Sequence, residues 1–295
     1  MTFPLHLFIP LACAFVYVLS ALALKRAAEL GVGVWRTTFV ANWTSCLGFL
    51  PVWLLAGRPT VAWQLYWQPA VVALLFLAGQ AFIFLALKKG DVTITTPVLG
   101  GKVIMVALFT SLLRVGEVPV TWWIGATLSA AAVLLLHVGE RPGELRQVRA
   151  TVLIAFLSAV CYALSDVLVQ KFAPVWGITA FVPAMFLGVG LYSLVLIPFF
   201  NAPLRTMPGQ AWRWVGFGSV LLTLNNAGIV LAIGHWGGAT AVNIVYSARG
   251  LVSVGLVWAI GHWFKNREKH LEPRVLRFRL IGAGLMLAAI VLVLL

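Results

Sequence analysis

The chain has 295 residues, 62% of them hydrophobic and 10% charged, with a mean hydropathy of +1.00. A soluble domain carries about 25% charged residues. There is too little polar side chain here to coat a water-soluble body, which excludes a cytosolic enzyme, a secreted disulfide domain and a disordered chain. The net charge is +13, from 21 Lys and Arg against 8 Asp and Glu; a balance of this size suggests nucleic acid, but in so apolar a chain it reads as a topology signal.

A spanning helix needs roughly 20 predominantly apolar residues. Ten such runs follow one another, at 4–24, 35–56, 68–87, 91–113, 119–138, 150–170, 177–200, 214–234, 239–262 and 278–295. They are called spans 1 to 10 below. The runs are continuously apolar and do not alternate, which excludes a β-barrel. The expected fold class is an all-α integral membrane protein of ten transmembrane helices. Span 1 has no Lys or Arg before it and no small-residue cleavage site, so it is expected to be a helix rather than a signal peptide. Most connections are short; the longest polar ones are 140–149 and 265–279.

The cations fall unevenly on alternate connections. Those after spans 1, 3, 5, 7 and 9 hold 16, among them Lys25, Arg26, Arg36, Lys88, Lys89, Arg141, Arg205 and Arg267. The other set holds only Arg58, Arg114 and Lys171. Positive charge marks the cytoplasmic side. Both termini are therefore expected on the periplasmic side of a bacterial inner membrane, with the 140–149 linker inside.

The sequence repeats itself. At an offset of 145, Ala14, Tyr17, Leu19 and Ser20 meet Ala159, Tyr162, Leu164 and Ser165. At 147, Gly90 meets Gly237 and Lys102 meets Arg249. At 157, Ile124, Gly125 and Ala126 meet Ile281, Gly282 and Ala283. The 265–279 loop accounts for the jump. Two five-span units, 1–139 and 150–295, are thus expected on either side of the linker. Five is odd, so the second enters the membrane from the opposite side. Such inverted repeats recur in secondary transporters, with the binding site near the midplane.

Lys102 lies about eleven residues into span 4, roughly 16 Å deep at 1.5 Å per residue, and Arg249 lies at a similar depth in span 9. A charge at that depth costs at least ~2.5–3.5 kcal/mol. Each cation must face a cavity or a partner: either the two hold an anionic ligand, or they are paired internally. Asp166 is the one deep acid, read either as a proton-coupling carboxylate or as a partner for Arg249. Tyr246, Arg249 and Ser253 share one helical face, with Asn243 near it. Pro97, Gly100 and Gly101 can weaken span 4 beside Lys102. Asn225, Asn226 and Gln80 either line a lumen or bond across helices. Tyr17 with Ser20, and Tyr162 with Ser165, are the repeated polar pairs of spans 1 and 6.

Other features are read as packing. Gly125 with Ser129, and Gly284 with Ala288, are small-xxx-small pairs, and Gly188, Gly190, Gly216 and Gly218 are of the same kind. Trp35, Trp63, Trp67, Trp122, Trp123, Trp176, Trp212, Trp214, Trp236 and Trp263 form an interfacial belt, not a nucleic-acid platform. Cys13, Cys46 and Cys161 are odd in number and form no CxxC pair, so no disulfide or metal site is expected. The five His residues have no metal spacing. The motifs HExxH and GxSxG, the P-loop and the dinucleotide glycines are all missing. No cofactor and no enzymatic activity are expected.

The ten spans in two inverted halves resemble the drug/metabolite transporter superfamily, specifically its EamA-type members. The resemblance is carried most clearly by Leu112-Leu113-Arg114-Val115-Gly116-Glu117-Val118, then Trp123-Ile124-Gly125-Ala126, and by Trp35-Arg36. It implies a secondary transporter. Within the superfamily, organophosphate translocators hold their anionic group with cations on helices 4 and 9, which Lys102 and Arg249 resemble; EamA-type amino-acid exporters are an equal comparison. The expected substrate is a small organic anion or zwitterion bearing a carboxylate or phosphate, held by Lys102 and Arg249 in a pocket shaped by Tyr246, Ser253, Asn225, Asn226, Gln80, Tyr17 and Tyr162. Alternatives are an exporter of amino acids or amphipathic drugs, or a lipid-carrier flippase. The expected partners are that small molecule and the bilayer; monomer and homodimer stay open.

Overall fold

The computed structural model describes residues 5–56, 61–89, 95, 98–136, 145–260 and 273–294. Among them there is no β-strand. The helices are α1 (Phe8–Glu29), α2 (Val34–Ala56), α3 (Trp67–Lys89), α4 (Lys102–Leu112), α5 (Val120–Leu136), α6 (Leu145–Trp176), α7 (Ile178–Tyr192), α8 (Gly209–Trp236), α9 (Ala239–Tyr246), α10 (Arg249–Ile260) and α11 (Pro273–Leu294). A 3-10 segment, Ser193–Phe199, prolongs α7.

Six of the described helical stretches are long and apolar enough to cross a membrane, and 98–112, 120–136 and 280–294 are shorter apolar helices. Protein covers only part of their surface: in the most apolar windows of the six, between 33% and 56% of residues are buried. Large apolar side chains such as Leu54 and Leu55 on α2, at 75% and 88% exposure, would be costly in water. The lipid bilayer is the solvent that fits them. α9 is the opposite case, with every residue buried. It packs against α1, α4, α5, α6, α8 and α11.

Packing follows a pattern. α1 lies chiefly along α8, α3 along α6, α5 along α11, and α2 along α7. α2 also touches α8 while α3 touches α7, and α4 touches α6 while α10 touches α1. Exchange α1 with α6, α2 with α7, α3 with α8, α4 with α9–α10 and α5 with α11, and this set of pairs maps onto itself. The turns after α1 and α6 also match, since Gly31 and Gly177 both take positive φ, 82° and 74°. Glycine reaches that conformation without the Cβ clash that other residues meet.

Close approach depends on small residues. A Cβ on Gly218 of α8 would stand 2.6 Å from Leu24 of α1, and one on Gly79 of α3 would stand 3.0 Å from the Tyr162 ring of α6. Ser20 Oγ donates to the Gly218 carbonyl, and Ser158 Oγ to the Gly79 carbonyl, each at 2.7 Å. Gly188 and Gly190 of α7 likewise face Ala73 and Cys46. Gly125 of α5 faces the Ala289 carbonyl of α11, and Ser129 shares a hydrogen bond with Ser247 of the α9–α10 turn.

The structure corrects several expectations. Gly284 and Gly216 meet no neighbour within 4 Å; Gly282 makes the close contact on α11, with the Ala132 carbonyl, and Gly218 makes it on α8. Two residues, about 200° of helical rotation, separate each unpacked glycine from the packed one. Span 9 is interrupted at Ser247-Ala248, and Gly101 interrupts span 4 just before Lys102. Helix α6 begins at Leu145, inside the expected 140–149 linker, and runs to Trp176, so Lys171 is helical rather than part of a connection. Trp176 is not a belt residue: it is 5% exposed and its indole N–H donates to Gln68 Oε1 at 2.8 Å. Of the expected cation-bearing segments 140–149 and 265–279, residues 140–144 and 265–272 lie outside the described residues.

Candidate functional site

Lys102 and Arg249 each stand at the first position of a helix that follows an interruption, α4 and α10. A helix start carries positive partial charge from its unsatisfied N–H groups. Here, however, the chain stays in the right-handed helical region through both turns, at Gly101 and at Ser247. N–H groups beyond each turn bond back across it, as Ile104 does to the Gly101 carbonyl and Gly250 to the Ser247 carbonyl. Each cation also lies over a tyrosine ring of the opposite half: Lys102 Nζ is 5.6 Å from the Tyr162 ring centre, and Arg249 Cζ is 4.9 Å from that of Tyr17. Tyr17 and Tyr162 are the pair that the sequence repeat matches. The α4–α6 and α1–α10 contacts that make these stacks are themselves an exchangeable pair.

The two cations differ in what else they meet. Lys102 Nζ is 2.7 Å from Asp166 Oδ2, and the same oxygen accepts a hydrogen bond from Asn243 Nδ2 at 2.7 Å. Asn243 Nδ2 also donates to the Ala239 carbonyl of its own helix. Lys102 and Asp166 side chains are 15% and 13% exposed. The sequence offers Asp166 as a partner for Arg249 or as a coupling carboxylate, with the end of span 6 at residue 170, four residues beyond it. Asp166 pairs instead with Lys102, and because α6 runs ten residues past it, to Trp176, it lies about 15 Å from that end at 1.5 Å per residue.

Among the described residues Arg249 has no carboxylate within 4.0 Å. A second ring, Tyr246, lies 4.7 Å from Cζ, and the Tyr17 and Tyr246 rings meet edge to face at 6.1 Å. Two aromatic faces thus hold the guanidinium. Such contacts reach about 2 kcal/mol or more when desolvated. They soften the cost of the buried charge without cancelling it.

The remaining expected residues divide. Asn225 sits beside Tyr246, and its amide donates to Asn226 Oδ1 at 3.2 Å. Ser253 turns its hydroxyl to the Gly250 carbonyl of its own helix at 2.8 Å. Gln80 is bonded across to α2, in a reciprocal amide pair with Asn42 at 2.9 and 3.0 Å, with both residues buried. That pair acts as cross-helix glue. The sequence reading passed over Asn42, although an amide in mid-span 2 carries the same signal as Gln80. It also passed over Gln170, one helical turn beyond Asp166. Gln170 Oε1 accepts from the Ala239 N–H at 2.8 Å, and its amide donates to the Val115 carbonyl at 3.4 Å.

Fold and site together define a class: an all-α, multi-pass membrane protein with charged groups drawn to its inner helices. No family model matches the chain, and no curated protein matches it. Solved structures do resemble it. One, a crystal structure described simply as that of a protein, is 17% identical, with a TM-score of 0.76 over 97% of this chain and 97% of that one. At that identity the likeness shows the fold alone.

Proposed function

We propose that this protein is a secondary transporter of the EamA type, within the drug/metabolite transporter superfamily. In this reading ten membrane segments form two inverted five-helix repeats, in a bacterial inner membrane with both termini periplasmic. The substrate is a small organic anion or zwitterion. It binds between the halves, and the halves rock about it to expose the site to either side. Arg249 holds the anionic group, with Tyr17 and Tyr246 as walls and Asn225 and Asn226 alongside. Lys102 and Asp166 form the second charged element, with Asp166 as the group that takes up a proton if transport is coupled to one. No enzymatic step is part of this reading.

One observation carries it. Each of two repeat-equivalent cations, at the first residue of a helix that follows a break, lies over the repeat-equivalent tyrosine of the other half. A scaffold needs no such arrangement at mid-depth, where each charge is expensive. Transporters place broken helix starts at this depth to meet anionic groups. The exchange symmetry of the packing pairs supports the repeat.

The test is uptake or exchange in proteoliposomes, with ligand-dependent thermal stabilisation over a metabolite panel as the screen. Arg249→Gln is expected to abolish transport of every substrate found, while the protein still elutes as a single species. Normal transport by that variant removes Arg249 from the site.

A further inference from the structure

We infer that the Arg249 site takes a ligand group of one net negative charge, such as a carboxylate monoanion, and rejects a dianion such as a second carboxylate or a phosphate monoester would supply. The inference rests on the anion-site reading above and narrows it. It follows from counting charge. Lys102 and Asp166 are 2.7 Å apart and cancel. Asn243 Nδ2 holds the same Asp166 oxygen at 2.7 Å, so the carboxylate is fixed toward Lys102 from two sides. The neighbours of Arg249 are two neutral phenol rings, at 4.9 and 4.7 Å, and no carboxylate lies within 4.0 Å among the described residues. The acids outside those residues, Asp91, Glu140, Glu144, Glu268 and Glu272, all fall at the polar ends of the apolar runs, far along the chain from mid-span.

One unit of positive charge is therefore free. A monoanion brings the site to neutrality. A dianion leaves an uncompensated negative charge in a poorly screened interior, where charge interactions are several times stronger than in water, and a lone buried charge is the arrangement proteins tolerate least. A zwitterion leaves the positive charge in place. Lys102 cannot supply the second counter-charge without abandoning Asp166.

The test uses three probes of one ring and nearly one size: 4-methylbenzoate, terephthalate and 4-(aminomethyl)benzoate, of net charge −1, −2 and zero. Binding is measured by thermal shift on the full chain in nanodiscs. Wild type is expected to bind 4-methylbenzoate at least tenfold more tightly than either of the others. Asp166→Asn frees Lys102 and is expected to reverse the order in favour of terephthalate. Asp166→Glu keeps the charge and the monoanion preference. Should Asp166→Asn fail to fold, Lys102→Gln serves, and is expected to lose the preference for 4-methylbenzoate over the zwitterion because Asp166 then offsets Arg249. Equal binding of mono- and dianion by wild type overturns this inference alone. Binding of none of the three, with Arg249→Gln indistinguishable from wild type, overturns the anion-site reading and this inference with it.

Discussion

The two halves solve the same electrostatic problem in different ways. At 147 residues' offset one half carries Lys102 and the other Arg249, each over a tyrosine of its opposite half. Beside Tyr162 the chain supplies Asp166; at the matching offset from Tyr17 stands Ala21. Lysine, a compact and strongly hydrated charge, meets a carboxylate at 2.7 Å. Arginine, planar and more weakly hydrated, is left to stack on two rings. A symmetric frame has thus been made locally asymmetric by a few side chains. One half holds a neutral pair, and in the other the charge meets two aromatic rings and, among the described residues, no carboxylate.

The strongest way to break this comparison is to remove its free charge. Arg249→Gln is expected to lower substrate affinity by two orders of magnitude or more, read as loss of ligand-induced thermal stabilisation; Arg249→Lys should recover only part, because a point charge stacks less well on two rings. Next comes the stored pair. Lys102→Met alone leaves Asp166 buried without its counter-charge, a change that costs about 3–5 kcal/mol for buried pairs, while Lys102→Met with Asp166→Asn should restore most of the lost melting temperature. A double variant no more stable than the single one would show that Lys102 and Asp166 do not act as a unit. Substitution at the packing glycine under Tyr162 sharpens the comparison further. Gly79→Ala should cost about 1–3 kcal/mol by overpacking and should disturb the Lys102 side only, leaving ligand affinity at Arg249 nearly unchanged. The smallest effect belongs to the cross-helix amides. Gln80→Leu is expected to lower stability by about 0.6 kcal/mol without altering binding, and a large loss of binding would return Gln80 to the pocket.

Much of this was legible in the chain. Length and hydropathy of the apolar runs locate the helices, because a helix in lipid must satisfy its own backbone. The internal repeat matches Lys102 with Arg249 and Tyr17 with Tyr162, and helical spacing sets Tyr246 on the face of Arg249. The stacking of Lys102 on Tyr162 and of Arg249 on Tyr17, however, comes from α4 packing on α6 and α10 on α1. What spacing does not carry is rotation. Gly284 and Gly282 differ by two residues and so by slightly more than a half-turn of helix, and only packing decides which one faces α5. The partner of Asp166 is of the same kind. Periodicity sets it at the right depth for either cation, and the choice of Lys102 depends on α4 lying against α6. The break at Ser247-Ala248 has no glycine or proline within it, so no local signal marks it.

Gln170 has a mechanical consequence. One carboxamide joins the connection after α4 to the first residue of α9, segments more than a hundred residues apart in sequence. One helical turn below, Asp166 joins α4 to the same α9 through Lys102 and Asn243. Two rungs on a single face of α6 thus tie α4 and α9 to the same helix. A motion that separates α4 from α9 has to break the Lys102–Asp166 pair or the Asn243 bond, together with one of the Gln170 bonds.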